Sequence, residues 1–358
     1  QSAIKVGFNK AMSAIIDGNV TTIIAALVLM YKGSGTIRGF AQTLLLGIVL
    51  SMFTALVISR FVMYVLYNLG FQDVKWYGIQ RERKTINFVK PKNLFFGISV
   101  AVIILGLCFT FVNRSAIGGA LNYSIEFAGG TSTNVTFNED YSLADFESTI
   151  LPVVTEATGD ATPQIQKIEG SMAFIIKTKE LTTDVRESLN QALAEKFGVD
   201  VSLITSETIS PSISSEMKSD AVTAVIIATI LMLLYIWIRF SDIKFAASAV
   251  VALLHDVLIV FGFYAVSRIA VGNTFIACML TIVGYSINAT IVIFDRIREN
   301  LAENKGKLDY NEIVNRSITQ TLTRSIYTSW TTFVMVLILY IMGVAAIKEF
   351  ALPLMVGI

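Results

Sequence analysis

The stretch 244-KFAASAVVALLHDVLIVFGFYAVS-267 decides the fold. It is apolar on every face, interrupted at its centre by the adjacent pair His255 and Asp256. A surface helix of a water-soluble protein keeps one polar face, whereas a membrane-spanning helix needs about 20 mostly apolar residues. This stretch meets the second description. Working outward, similar runs lie near 15–31, 37–67, 93–113, 220–239, 274–295, 324–343 and from 350 onward, so eight spans are expected, the last cut off at Ile358. Composition agrees, with 54% of the 358 residues hydrophobic and 15% charged. The expected class is an α-helical polytopic membrane protein in contact with the lipid bilayer.

The net charge of +1 and the scattered basic residues give no positive stripe for a phosphate backbone, which excludes nucleic acid as a partner. One histidine and two cysteines, Cys108 and Cys278, are too few for a zinc or iron–sulfur site. Both cysteines sit in apolar runs and read as buried. Residues 1–18 are amphipathic and carry no secretory signal. No nucleophile with a positioned base is offered, so an enzyme is not expected.

Lys and Arg in short loops mark the cytoplasmic side. One set of loops carries sixteen of them, from Lys5 and Lys10 through the segment 68–92 to Arg316 and Arg324, and the opposite set carries four: Lys32, Arg38, Arg268 and Lys348. This places the polar segment 114–219 outside the cytoplasm. It holds fifteen Asp and Glu against seven Lys and Arg, a balance suited to solubility. Its pattern predicts strands over Leu121–Phe127 and Thr131–Phe137, a helix through Leu143, Phe146, Ile150 and Val154, and a strand through Met172, Phe174 and Ile176 after the turn Glu169-Gly170-Ser171. A helix through Val185, Leu189, Leu193 and Phe197 and a strand through Val199, Val201 and Leu203 follow. Strand, helix, strand, strand, helix, strand is the ferredoxin-like order, expected here for a small α+β binding or lever domain.

Residues 21–48 align without gaps on 331–358, with eleven identities in twenty-eight positions, including Thr21-Thr22 with Thr331-Thr332, Gly33 with Gly343 and Phe40-Ala41 with Phe350-Ala351. The first two spans therefore read as the end of one repeat and the remaining six as a second, parallel repeat. A site is expected between the halves. An upstream half, with four further helices and a second external domain, is an expectation of the same reading.

Ionisable groups at bilayer depth are costly and are candidates for function. His255 and Asp256 fit either proton carriage or a structural polar pair. Being adjacent on a helix, they are expected to be poor partners for one another. The run Thr281-Ile282-Val283-Gly284-Tyr285-Ser286-Ile287-Asn288-Ala289-Thr290 is small and polar for a helix centre, and Asn288 calls for partners or a wet cavity. Arg324 keeps its proton and fits a cytoplasmic anchor on physics alone. Asp295, Arg296, Arg298 and Glu299 read as an interfacial salt-linked cluster, and Gly33-Ser34-Gly35 as a tight external turn.

The run Thr281 to Asn300 resembles the signature helix of SecF proteins, and Leu254-His255-Asp256, Thr319 to Ser325 and Tyr123 to Thr131 look like other motifs of that family. Ala14 to Asn19 and on through Ser51-Met52-Phe53-Thr54-Ala55 looks like the end of SecD. The chain is thus similar to the SecD/SecF protein-export family, of the resistance-nodulation-division superfamily, with the two parts joined near 70–90. The resemblance divides it into the last two SecD-like helices (1–67), a basic cytoplasmic linker (68–92), the first SecF-like helix (93–113), the extracytoplasmic domain (114–219) and the remaining, truncated set of SecF-like helices (220–358).

What the resemblance implies is a proton-driven accessory of the Sec translocon in a bacterial cell membrane. Its partners would be the channel with its membrane subunits and an unfolded preprotein on the trans side, and its coupling ion the proton, without other cofactors. The implied relay comprises Arg324, Asp256, His255, Asn288 and position 289. Where the family has Ser-Ile-Asn-Asp-Thr, this chain has Ser286-Ile287-Asn288-Ala289-Thr290. Alanine carries no proton, so the chain reads either as a variant with a blocked relay or as a divergence using Asp256 and His255. A lipid or drug exporter of the same superfamily and a non-transporting Sec scaffold are the alternatives.

Overall fold

The computed structural model describes the chain except residues 1, 34, 74–75, 77–83, 118, 143–144, 162, 169–170, 241, 305–307 and 344. The expected turn at Ser34, the helix position Leu143, the turn at Glu169-Gly170, and Lys75, Arg81, Arg83, Lys305 and Lys307 of the charge count lie outside the described residues. Two compact units form, Gln1–Asn122 with Ala221–Ile358, and Tyr123–Asp220.

The first unit is helical. It contains α1 (Ser2–Lys32), α2 (Gly35–Phe53), which passes through a π-helical turn Thr54–Ile58 into α3 (Ser59–Asn68), and α4 (Lys92–Ile117). The second unit holds the short helix α5 (Ile125–Ala128), then α6 (Leu151–Thr158) and α7 (Thr183–Phe197). Helix α8 (Pro211–Phe240) starts in the second unit and ends in the first. There it is followed by α9 (Ile243–Ser267), α10 (Asn273–Asn304), α11 (Tyr310–Met342) and α12 (Ala345–Gly357).

Among the described residues, seven helices are long and apolar enough to cross a membrane. The expected eighth begins as α12, which has 13 residues with Pro353 inside. Apolar side chains of α4 such as Phe95, Phe96 and Ile98 are exposed, as lipid-facing surfaces are. Cys108 shares that exposure, contrary to the expectation of burial, because α4 packs chiefly against α9, whereas Cys278 is buried.

Helix α10 is the centre of this unit, packed against α1, α9, α11 and α12. Small residues let backbones approach at the crossings. A Cβ on Gly106 of α4 would lie 2.6 Å from Gly262 Cα of α9, and one on Gly284 of α10 would lie 3.1 Å from Thr22 Oγ1 of α1. The two stretches that align at an offset of 310 end their first helices alike, with Gly33 N–H donating to Leu29 O at 2.7 Å and Gly343 N–H to Leu339 O at 2.8 Å. The equivalent rings Phe40 and Phe350 meet edge to face at 5.7 Å. On α11, Asn315 Oδ1 accepts from the amides of Phe88 and Val89, at 2.8 and 3.0 Å, and Thr319 Oγ1 accepts from Ile86 N–H at 3.0 Å. These bonds satisfy amides of residues that lie in no helix or strand.

The second unit is a four-stranded antiparallel sheet ordered β2-β3-β1-β4, with β1 Gly130–Thr136, β2 Gln164–Lys167, β3 Ala173–Thr178 and β4 Thr205–Ile209. Buried Val135, Phe137, Phe174 and Ile176 of the sheet side pack with Phe146 and Ile150 of the π-helical turn Phe146–Ile150, with Val154 of α6, which continues it, and with Leu189 and Leu193 of α7. Two sequence expectations are corrected. Ile125–Ala128 is a helical turn instead of a strand, closed by Gly129 and Gly130 at φ +74° and +110°, a region that suits glycine. Val201–Leu203 is a 3₁₀ turn held by Asp200, whose carboxylate accepts from Ser202 N–H at 2.9 Å, and the strand begins only at Thr205.

Candidate functional site

The middle of α10 faces α11 across a cavity of about 50 Å³. Tyr285, Asn288, Ala289 and Val292 line it from α10, and Arg324, Ser325, Thr328 and Ser329 from α11. The two helices run antiparallel, joined at their far ends. Ala289 is 16 residues from the start of α10 and Arg324 is 18 from the end of α11, which puts them about 24 and 27 Å from that common side. They therefore share a depth. Tyr285 donates to Ser329 Oγ at 3.1 Å on the same wall, and the Asn288 amide fills the space over Gly18 of α1. No carboxylate lines this cavity, and among the described residues no cluster of His, Cys, Asp and Glu could hold a metal ion.

His255 and Asp256 stand on a different flank of α10. Ser286 Oγ donates to Asp256 Oδ2 at 2.6 Å, while His255 Nδ1 lies 2.8 Å from Asp256 Oδ1. The expectation that these neighbours make poor partners is overturned. Adjacent Cβ atoms diverge by about 100° around a helix, yet the imidazole is long enough to swing back to a carboxylate beside it. Asp256 thus joins α9 to α10 two residues before Asn288. Of the five residues named from the sequence, Asn288, Ala289 and Arg324 meet at one cavity and His255 and Asp256 form a second cluster.

A third cluster was not anticipated. Asp17 of α1, its side chain 8% exposed, accepts from Tyr235 OH at 2.6 Å and from Arg239 Nε and Nη2 at 2.7 Å each. Arg239 Nη2 also lies 3.7 Å from Asp295 Oδ1. By sequence Arg239 is one of the sixteen cations that mark the cytoplasmic side. The expected cluster 295–299 is consequently divided: Asp295 faces Arg239, Arg296 pairs with Glu299, and the Arg298 guanidinium lies 5.5 Å from the Phe240 ring centroid. The available signal is Asp17 itself, an acid inside the apolar run 15–31.

Comparison with known proteins identifies the family. Residues 189–358 match the family described as "Protein export membrane protein SecD/SecF, C-terminal". The chain is 34% identical to the protein translocase subunit SecDF of Bacillus subtilis, over all of this chain and 50% of that one. It is also 34% identical to the subunit SecF of Thermodesulfovibrio yellowstonii, over 77% of this chain and 89% of that one. A crystal structure of SecDF, a translocon-associated membrane protein from Thermus thermophilus, superposes with a TM-score of 0.86 at 34% identity, covering 99% of this chain and 47% of that one. A second SecDF structure, in a super-membrane-facing form, gives a TM-score of 0.70. The chain spans about half the length of the SecDF relatives it matches. It is a membrane protein, and it belongs to the SecD/SecF protein-export family.

Proposed function

We propose that this chain serves the Sec translocon as a proton-driven accessory in a bacterial cell membrane, helping unfolded preproteins leave the channel on the trans side. The observation that carries the reading is the common cavity of Asn288, Ala289 and Arg324, set at one depth in a chain of the SecD/SecF family. An acid at position 289 would face a permanent cation there, and its protonation would remove an attraction that holds α10 to α11. Moving one charge through 100 mV is worth about 2.3 kcal/mol, and a shift from mostly one state to mostly the other needs about 5.5 kcal/mol, so a cycle would use more than one proton. With Ala289 that relay is blocked at this position, and His255 with Asp256 is the remaining route.

In this reading the unit Tyr123–Asp220 is extracytoplasmic and holds the emerging chain. Its sheet order and the helices α6 and α7 between strands support a ferredoxin-like fold, and the matched helix ends at Gly33 and Gly343 support parallel repeats. The test is preprotein release from inverted membrane vesicles with and without a proton gradient, comparing the full-length protein bearing Ala289 with Ala289→Asp. Gradient-dependent release that appears only with aspartate assigns the relay to position 289. Equal response of both proteins moves it to Asp256. Response of neither replaces the motor with a scaffold, a reading favoured by the absence of an acid from the cavity lining.

A further inference from the structure

We infer that α4 and α9 form one rigid coupling element, with Asn113, Asn122 and Arg268 as its positioning residues. It links the Asp256 cluster to the connector entering the sheet unit. The inference deepens the proposed function by naming a mechanical route.

Four observations along one seam carry it. The backbones of α4 and α9 touch at Gly106 and Gly262, where a Cβ on either would come within 2.6 or 3.1 Å of the opposite Cα. Further along, buried Asn113 donates from Nδ2 to Ala265 O at 2.8 Å, a bond across the helix pair in a setting where an unpaired amide is costly. At the end of α9, Arg268 Nη1 donates to Gly119 O at 3.0 Å, while Asn122 Nδ2 donates back to Arg268 O at 2.8 Å. Finally, Val271 N–H donates to Asn122 O at 2.7 Å.

Arg268 is the one non-glycine residue with positive φ among the described residues, at 57°. A non-glycine side chain in that region carries a conformational cost. Here the conformation directs both the carbonyl and the guanidinium onto 119–122, so the strain has a definite outlet. Residue 122 is followed directly by Tyr123, where the sheet unit begins. At the middle of α9, Asp256 is bonded to Ser286 of α10. A displacement of α9 on α10 would therefore carry α4 and the connector with it, because the two helices are in backbone contact at Gly106 and Gly262 and are bonded to each other at Asn113 and, through the connector, at Asn122 and Arg268.

The test is hydrogen–deuterium exchange of 119–122 in the full-length protein, which needs no transport activity and so fails or succeeds independently of the proton reading. Asp256→Asn should change the exchange rate of this connector about fivefold, the scale of one altered hydrogen bond. In a background of Asn113→Ala with Arg268→Gly, in which glycine keeps the positive φ but the guanidinium is lost, the same Asp256→Asn change should alter it less than twofold. An equal response with and without the seam, or no response in the native seam, overturns the inference. Should that background fail to fold, Asn113→Cys with Ala265→Cys is joined by a short thiol cross-linker in a Cys108→Ala, Cys278→Ala protein. The fivefold response should survive cross-linking, and its loss would mean that the two helices slide.

Discussion

Replacing Arg239 by methionine tests whether the unanticipated cluster holds α1, α8 and α10 together. Methionine keeps much of the apolar stem but deletes two donors to Asp17, each at 2.7 Å. Charge-assisted hydrogen bonds are worth about 1.5–3 kcal/mol each, which gives about 3–6 kcal/mol for the pair. Arg239 is 26% exposed, so screening trims this by roughly a quarter, to about 2–4 kcal/mol. That agrees with about 3–5 kcal/mol for removing one partner of a buried pair, and Asp17 at 8% exposure is the charge left behind. The double substitution Asp17→Asn with Arg239→Met should cost about 2 kcal/mol less than the sum of the singles, because it leaves no charge at the buried position 17. Reversible unfolding in mixed detergent micelles, followed by tryptophan fluorescence, measures all three variants. A cost for Arg239→Met below about 1 kcal/mol, or strict additivity of the pair, would refute the reasoning.

Further expectations concern packing and acid. Gly106→Ala sets a methyl group 2.6 Å from the Gly262 Cα, and since backbone cannot rotate away as a side chain can, a loss of about 1–3 kcal/mol is expected in the same unfolding assay. Phe174→Ala empties a fully buried position stacked on Phe146 at 4.4 Å and should cost about 3–5 kcal/mol, read as faster proteolysis within residues 123–220 of the full chain. Hydrogen bonds from the Ser142 side chain and amide hold the Asp145 carboxyl below its ordinary 3.8, and Ser202 does the same for Asp200. A depressed folded value stabilises the folded form above the ordinary value, and that contribution disappears as pH falls through the depressed one. Asp145→Asn with Asp200→Asn should therefore flatten the loss of stability below about pH 4, seen in acid titration by circular dichroism.

Membrane helices were legible in the sequence because span length and apolarity are local properties, and the 244–267 stretch shows both without reference to any neighbour. The alternation of Met172, Phe174 and Ile176 and the helical spacing of Leu189 and Leu193 were legible for the same reason. Short segments were less so. Ile125 and Phe127 alternate as a strand would, but the glycine pair after them lets the chain close a helical turn. Leu203 continues an apolar alternation, yet Asp200 captures the Ser202 amide first and delays the strand.

From the sequence alone come the membrane class, the family resemblance, the offset of 310 between related helices and the unusual Ala289. Each rests on periodicity, composition or motif, which a chain carries wherever it folds. Which polar residues meet was decided only by tertiary structure. Asn288, Ala289 and Arg324 converge because α10 and α11 run antiparallel at matched depth, and Asp17 finds Arg239 across 222 positions because α1 and α8 close on the same end of α10. Charge pairing in a low-dielectric bundle is governed by distance in space, and separation along the chain says little about it.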